Sequence, residues 1–297
     1  MATLKEVQSK IVSVKKTKQI TSAMKMVATS RLRGAQNSME AFKPYAGKFA
    51  EVLGSIAGKS GEGASPLLVP REEVKKVVLL LCTSDRGLCG GFNNNLIDKA
   101  EKLIKSEFEG KDVSLVCFGK KARDWAKKIP NSIDEEYIGV VGGNIKFSVA
   151  STSGQKLIDS FLEGAVDEVY LIYSQFENMA KQIPTLKQIL PIPSLDEVVE
   201  ETEEIAGGEF LPEHICEPSS EALLGEMLPK NIFIQIYDAL LQTSTSEHAA
   251  RMRAMENATK ACEDMVDELQ TIFNKTRQAG ITSDLMDIVG GAEALKG

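Results

Sequence analysis

Two helical stripes, one at each end of a 297-residue chain, constrain its fold more than any other feature. From residue 3 to 57, apolar or small side chains recur in steps of three or four. They run Leu4, Val7, Ile11, Val14, Thr17, Thr21, Met24, Ala28 and Leu32, and continue through Met39 and Phe42 to Phe49 and Leu53. That period puts them on one helical face. Pro44 is the one interruption, expected as a mild kink. At 1.5 Å per residue the helix is roughly 80 Å long, and a small globule has no use for it. A stripe so long and narrow needs a partner of similar length.

Residues 230–279 supply that partner. They contain no Gly or Pro, and the stripe runs Ile234, Tyr237, Leu241, Thr245, His248, Met252 and Met255, then on through Thr259, Cys262 and Val266 to Phe273 and Thr276. This helix is roughly 75 Å long on the same rise. Pro229 reads as its start or a kink, and Gly280 as its end or a loosening. Matched stripes at opposite ends of one chain predict an antiparallel coiled coil closed by the residues between them. Thr, Ala, Met and His stand in the seams where a strict Leu/Ile repeat would pack harder.

The middle follows a different pattern. Val74–Thr83, Val113–Phe118 and Glu168–Tyr173 read as strands, and Asn94–Phe108, Lys120–Ile129 and Ser148–Leu162 as helices. Alternation of this kind makes an α/β domain with a mostly parallel sheet. Gln182–Leu190, between Pro184 and Pro191, reads as an edge strand. Residues 58–65 read as a linker, and the acidic stretch 194–209 as a solvated connection. The fold class is therefore α/β, with an N-terminal coiled-coil helix at 1–57, a Rossmann-like domain inserted at 70–215, and a C-terminal coiled-coil helix at 219–297.

Few chemical motifs survive inspection. The first strand runs into Ser84-Asp85-Arg86-Gly87-Leu88-Cys89-Gly90-Gly91-Phe92-Asn93 and then a helix. Phosphate-binding loops sit at such turns. The spacing is G-x-x-G-G rather than G-x-G-x-x-G, and no Lys-Ser/Thr pair closes it. A tight turn for close packing is the favoured reading. The five cysteines form no C-x-x-C pair and the histidines are only His214 and His248, so neither zinc nor a disulfide framework is expected. No catalytic set can be assembled. No run of about 18 apolar residues crosses a bilayer. The N-terminus shows no signal core, so a cytoplasmic chain is expected. Residues 1–50 carry ten Lys/Arg against two Glu, which suits an anionic partner.

Three blocks carry a family resemblance. IVSVKKTKQITSAMKMVATSRLR (11–33), TSDRGLCGGFN (83–93), and SEHAARMRAMENATKA with NKTRQAGIT and DIVGGAEAL (246–295) closely resemble the gamma subunits of F-type ATP synthases, of bacterial type. The resemblance spans the chain in order. It implies a non-catalytic central-stalk rotor that couples c-ring rotation, driven by protons, to ATP synthesis or hydrolysis on other subunits, and that regulates ATPase activity and proton flow. Implied partners are three alpha and three beta subunits, epsilon and the c-ring, with no nucleic acid, cofactor or metal. The implied location is peripheral, on the cytoplasmic face of the cell inner membrane. Arg277 and Gln278 match a contact with a beta loop, Met24 a position facing the beta lever region, and Thr282 and Asp287 positions coupled to it. The paired-cysteine insertion of the chloroplast type is missing, so no redox switch is expected. Two other readings compete on residues alone. One is a small-molecule enzyme using Thr83–Asn93. The other is a coiled-coil adaptor gripping an anion through residues 1–50.

Overall fold

The computed structural model describes residues 3–57, 65–130, 132–193 and 219–294. Ten elements follow in order: α1 (Leu4–Ala57), β1 (Lys76–Cys82), α2 (Phe92–Ser106), β2 (Asp112–Phe118), α3 (Lys120–Ala126), β3 (Ser132–Tyr137), α4 (Phe147–Leu162), β4 (Glu168–Phe176), β5 (Gln182–Leu190) and α5 (Ser220–Ala294). They form two compact units, Met1–Thr29 with Arg251–Gly297, and Ser30–Ala250.

In the first unit α1 and α5 pair antiparallel. Lys18 Nζ lies 2.9 Å from Glu263 Oε1, and Lys25 Nζ lies 2.7 Å from Glu256 Oε1. Seven residues forward on α1 meet seven residues back on α5, which is the heptad register of a coiled coil. Between the two ion pairs Thr259 Oγ1 donates to Thr21 Oγ1 at 2.8 Å, and Thr21 donates onward to the Lys18 carbonyl. On α5 positions 252, 255, 259, 262, 266, 269, 273 and 276 recur in steps of three and four, and all are buried or half-buried. Each belongs to the stripe expected from the sequence. On α1 the seam passes through Lys18 rather than Thr17, which is exposed. The stem of Lys18 lies along the seam while its ammonium reaches Glu263, as long basic side chains do at such edges. A period of 3.5 residues winds the pair left-handed.

The second unit is a three-layer α/β structure. The sheet order is β3-β2-β1-β4-β5, parallel except for the antiparallel β4–β5 pair. β1 (KVVLLLC) is buried at every residue but the first, as a strand covered on both faces must be. One face packs with α4, the 30–57 part of α1 and the 220–250 part of α5, through residues such as Leu53, Leu80, Ile158, Leu228 and Ile236. The other face packs with α2 and α3, through Leu79, Leu96, Leu115 and Trp125. β5 lies at the sheet edge with the bounds expected of it.

Several expectations need correction. β3 was not foreseen, because Asp134, Glu135 and Glu136 fill half of its six residues and leave no apolar pattern. An edge position explains those charges, which discourage pairing with another sheet. Arg123 and Lys127 reach Glu136 at 3.9 and 3.6 Å, and Lys156 reaches Glu135. α3 stops at Ala126, three residues before the expected end at Ile129. Pro229 neither starts nor ends α5, which begins at Ser220 and contains it. Gly280 does not end α5 either. The helix continues to Ala294, absorbing a propensity penalty of about 1 kcal/mol at the glycine. Residues 58–64 of the expected linker at 58–65, and the acidic connection at 194–209, lie outside the described residues.

Two glycines separate helix propensity from packing. A Cβ on Gly154 of α4 would meet Phe233 Cδ1 of α5 at 2.5 Å, whereas one on Gly34 of α1 would meet nothing within 4 Å. Gly154→Ala should therefore destabilise the chain by about 1–3 kcal/mol through overpacking. Gly34→Ala should stabilise it by up to about 1 kcal/mol through helix propensity. Chemical denaturation of both variants checks the opposite signs.

Candidate partner interface

The loop that looked most like chemistry is closed by its own side chains. After β1, Ser84 N–H donates to Asn93 Oδ1 at 3.0 Å, and Asn93 Nδ2 donates to Cys89 Sγ at 3.2 Å. Thr83 Oγ1 accepts the Ala122 N–H at 2.8 Å. Asp85 accepts the Lys120 N–H on Oδ1 at 2.9 Å and the Gly139 N–H on Oδ2 at 3.1 Å. These amides at the carboxyl ends of β2 and β3 are the donors a bound phosphate would use. Here a carboxylate of the chain stands in that position. Gly119 allows the approach, with φ +95 and a virtual Cβ only 2.3 Å from the Thr83 carbonyl oxygen.

The crevice of an open α/β sheet lies where strand order reverses, here between β1 and β4. α5 crosses the carboxyl end of β4. Ser174 N–H donates to Thr243 Oγ1 at 3.3 Å, and Ser246 Oγ donates to the Ser174 carbonyl at 3.1 Å. Ala250 packs into the cluster that holds Cys89 and Phe92 just after β1. Every residue from Thr243 to His248 is buried. His248 Nδ1 lies 2.8 Å from Glu247 Oε2. Among the described residues no group of three His, Cys, Asp or Glu could hold a metal. No helix among them is long and apolar enough to cross a membrane.

Exposed features lie elsewhere. Stepping 14 residues back along α1 from Lys18 reaches Leu4, its first residue; stepping 14 forward along α5 from Glu263 reaches Arg277. From there to Ala294 no α1 residue stands opposite, and 277–293 are all exposed. The unpaired end still carries an apolar stripe, Ile281, Leu285, Ile288 and Val289, at spacings of four, three and one. Ile288 is 69% exposed, although a helical stripe of this kind is normally covered. On the other unit, Leu88 adopts φ 64 with its side chain 64% exposed. Left-handed backbone is uncommon for a bulky non-glycine residue, and exposing a leucine there stores strain without burying area.

The family profile described as ATP synthase matches residues 3–295. An ATP synthase gamma chain from Desulforapulum autotrophicum is 76% identical over 298 residues, covering 99% of this chain and all of that one. The chain belongs to the ATP synthase gamma subunit family. A second gamma chain, from Desulfosudis oleivorans, is 60% identical over the full length of both. Among solved structures, a chain of the Euglena gracilis mitochondrial ATP synthase OSCP/F1/c-ring assembly matches with TM-score 0.64 at 18% identity, covering 98% of this chain and 94% of that one. A Tetrahymena thermophila central stalk/c-ring chain matches with TM-score 0.57 at 24% identity, covering 80% and 99%. At such identities these two speak for the fold alone.

The residues singled out by family resemblance fall in two places. Arg277, Gln278, Thr282 and Asp287 are all exposed, beginning where pairing ends. Thr282 Oγ1 donates to the Gln278 carbonyl at 3.0 Å, an ordinary turn-to-turn bond. Met24 is half-buried on α1. The register sets it opposite position 257, twenty residues short of Arg277, or about 30 Å along the helix. Met24 therefore does not join the other four in one patch. Sequence reasoning passed over Leu88 and the 281–289 stripe. The stripe was legible in its spacing.

Cys82 and Cys117 fit a structural role, packed in the two faces of the sheet. Burial pushes the Cys82 thiol far above the ordinary range, and burial, reinforced by Glu136, pushes Cys117 up to about 12. Thiolate is the reactive form, so both should be inert at pH 8. Iodoacetamide at pH 8 should modify the half-buried Cys262 at least about a hundredfold faster than Cys82 or Cys117, and denaturant should abolish the difference. Peptide mapping by mass spectrometry reads all three sites.

Proposed function

We propose that the chain works as the central-stalk rotor of a proton-driven ATP synthase, turning with a c-ring and passing each alpha–beta pair through its catalytic states. The observation that carries this reading is the bare end of α5, whose exposed apolar stripe beyond Arg277 demands a socket. A ring of three alpha and three beta subunits would supply that socket around residues 277–294. Epsilon and the c-ring would bind the α/β part, within the division 1–57, 70–215 and 219–297. The chain would do no chemistry itself and would bind no nucleic acid. Its placement would be peripheral, on the cytoplasmic face of a bacterial inner membrane, with ATPase activity and proton flow regulated through the same contacts.

Physical features support the assignment. A turning part must not bind too tightly at any angle. The pairs Lys18–Glu263 and Lys25–Glu256 are 40% or more exposed on every side chain, so each is weak and readily exchanged for a partner's charge. Arg277 offers a planar donor fork to a carboxylate at the foot of the bare stripe. Met24 lies half-buried on the paired part, a candidate for contact with a lever element of beta. Leu88 offers a fixed apolar knob on the other unit.

Purification through tagged beta should recover this chain at one copy per three alpha and three beta. Replacing Arg277 and Gln278 together by Ala should leave that ratio unchanged and lower coupled ATP synthesis by about tenfold or more, the effect of losing one charged hydrogen bond. Failure of the chain to assemble with its own alpha and beta would sink the reading. Wild-type coupling in the double variant would remove Arg277 and Gln278 from it.

A further inference from the structure

One cavity carries basic side chains that the rotor reading does not use. It has a volume of about 450 Å³ and lies wholly within the α/β unit, between α1, the loop 142–145 that follows β3, and α5. Gly34 and Ala35 line it from α1, and Gly142 and Gly143 from the loop, so small residues keep the space open. A Cβ on Gly34 would meet nothing within 4 Å. The Tyr237 hydroxyl donates to the Ile145 carbonyl at 3.3 Å, which ties the loop to α5.

Arg31 lines the cavity from α1, and its guanidinium makes no ion pair or hydrogen bond among the described residues. His248 lines it from α5 and is only 4% exposed. Its Nδ1 is sealed from solvent and lies 2.8 Å from Glu247 Oε2, near enough for charge though not aligned for a hydrogen bond. Nε2 differs: it keeps accessible surface and has no partner among the described residues. The Nε2 edge is therefore the part of the ring that opens into the cavity. Buried polar atoms are normally satisfied, so an open, unpartnered nitrogen on a buried ring points to a ligand. No Asp or Glu lines the cavity. Asp85 Oδ2 comes within 4.0 Å of the Cβ position of Gly142, but it already accepts the Gly139 N–H.

We propose that this cavity binds a phosphate group. The two basic side chains define the class. Arg31 is a permanently charged planar donor, which suits phosphate oxygens. Nε2 donates to an oxyanion when the ring is protonated and accepts from a P–OH group when it is neutral. Phosphate near neutral pH presents both kinds of oxygen. A carboxylate presents acceptors alone, and a metal cation would meet Arg31 with no carboxylate to hold it. The volume admits inorganic phosphate with water, or the phosphate end of a nucleotide.

The probe is inorganic phosphate, titrated into the full-length chain at constant ionic strength and read by NMR of its two imidazoles, His214 and His248. His248→Gln assigns the His248 signals by removing them. In the wild-type chain those signals should shift saturably, with a dissociation constant in the millimolar range. Arg31→Gln should weaken binding at least about tenfold, through loss of one charge-assisted hydrogen bond. Ser38→Glu sets a carboxylate at an exposed lining position and should weaken binding by repulsion. A parallel titration with ADP separates the sources. Tighter binding of ADP than of phosphate identifies a nucleotide's phosphate, equal or weaker binding identifies the free ion, and either supports the site. Absence of saturable His248 shifts up to roughly 50 mM phosphate, or wild-type affinity in both Arg31→Gln and Ser38→Glu, would overturn the proposal.

Discussion

Antiparallel pairing of α1 with α5 is the interaction on which the rest depends, and its register is set by polar contacts. Apolar seams tolerate sliding by a heptad, because Val, Met and Ala layers look alike from one repeat to the next. Lys18, Thr21 and Lys25 occupy three successive seam positions and meet Glu263, Thr259 and Glu256. A slip of seven residues would set Lys25 at Glu263 but leave Lys18 and Thr21 facing groups that do not complement them. Such layers sacrifice stability for a single alignment. The alignment matters because it fixes how much of α5 is left uncovered.

The α/β unit shows how a nucleotide-binding architecture becomes a scaffold. Strand order reverses between β1 and β4, the place where ligands enter related sheets. Asp85 takes the amides of Lys120 and Gly139, Thr83 takes that of Ala122, and α5 lies across the carboxyl end of β4 through Thr243 and Ser246. Polar groups that would greet a phosphate instead join loop to helix and helix to strand. The hydroxyls of Thr243, Thr245 and Ser246 all bond within the chain, so the contact is directional as well as apolar. A face held by directed bonds resists twisting better than one held by apolar contact alone, which suits a part that must transmit force.

Much of this was legible in the sequence, for identifiable reasons. The coiled-coil seam could be read residue by residue because a heptad stripe is local information, and Met252 through Thr276 fall on it. β1, β2 and β4 announced themselves as apolar runs. β3 did not, since Asp134, Glu135 and Glu136 are specified by an edge position that only the assembled sheet defines. Gly280, read as an end or a loosening, does not end the helix, because propensity is a weak local preference that a 75-residue helix overrides. Among the site residues, Arg277 was legible only by resemblance. Its exposure depends on where α1 begins, 273 residues earlier in the chain.

The boundary at Arg277 also divides the mechanical work. Two packed helices resist bending more than one, so the stretch facing residues 4–29 of α1 is the stiff part. Past Arg277 a lone helix with every side chain exposed would bend under a lateral load unless something held it. On the rotor reading, torque is therefore best exchanged along the paired stretch, where half-buried Met24 and the partly exposed Lys18 and Lys25 lie. The bare stripe of Ile281, Leu285 and Ile288 then serves as a pivot in an apolar socket, a place to turn rather than to push. Arg277 and Gln278 sit where these two regimes meet. A charged hold there would let a partner sense the angle of the shaft at its last stiff point, before the pivot removes the signal.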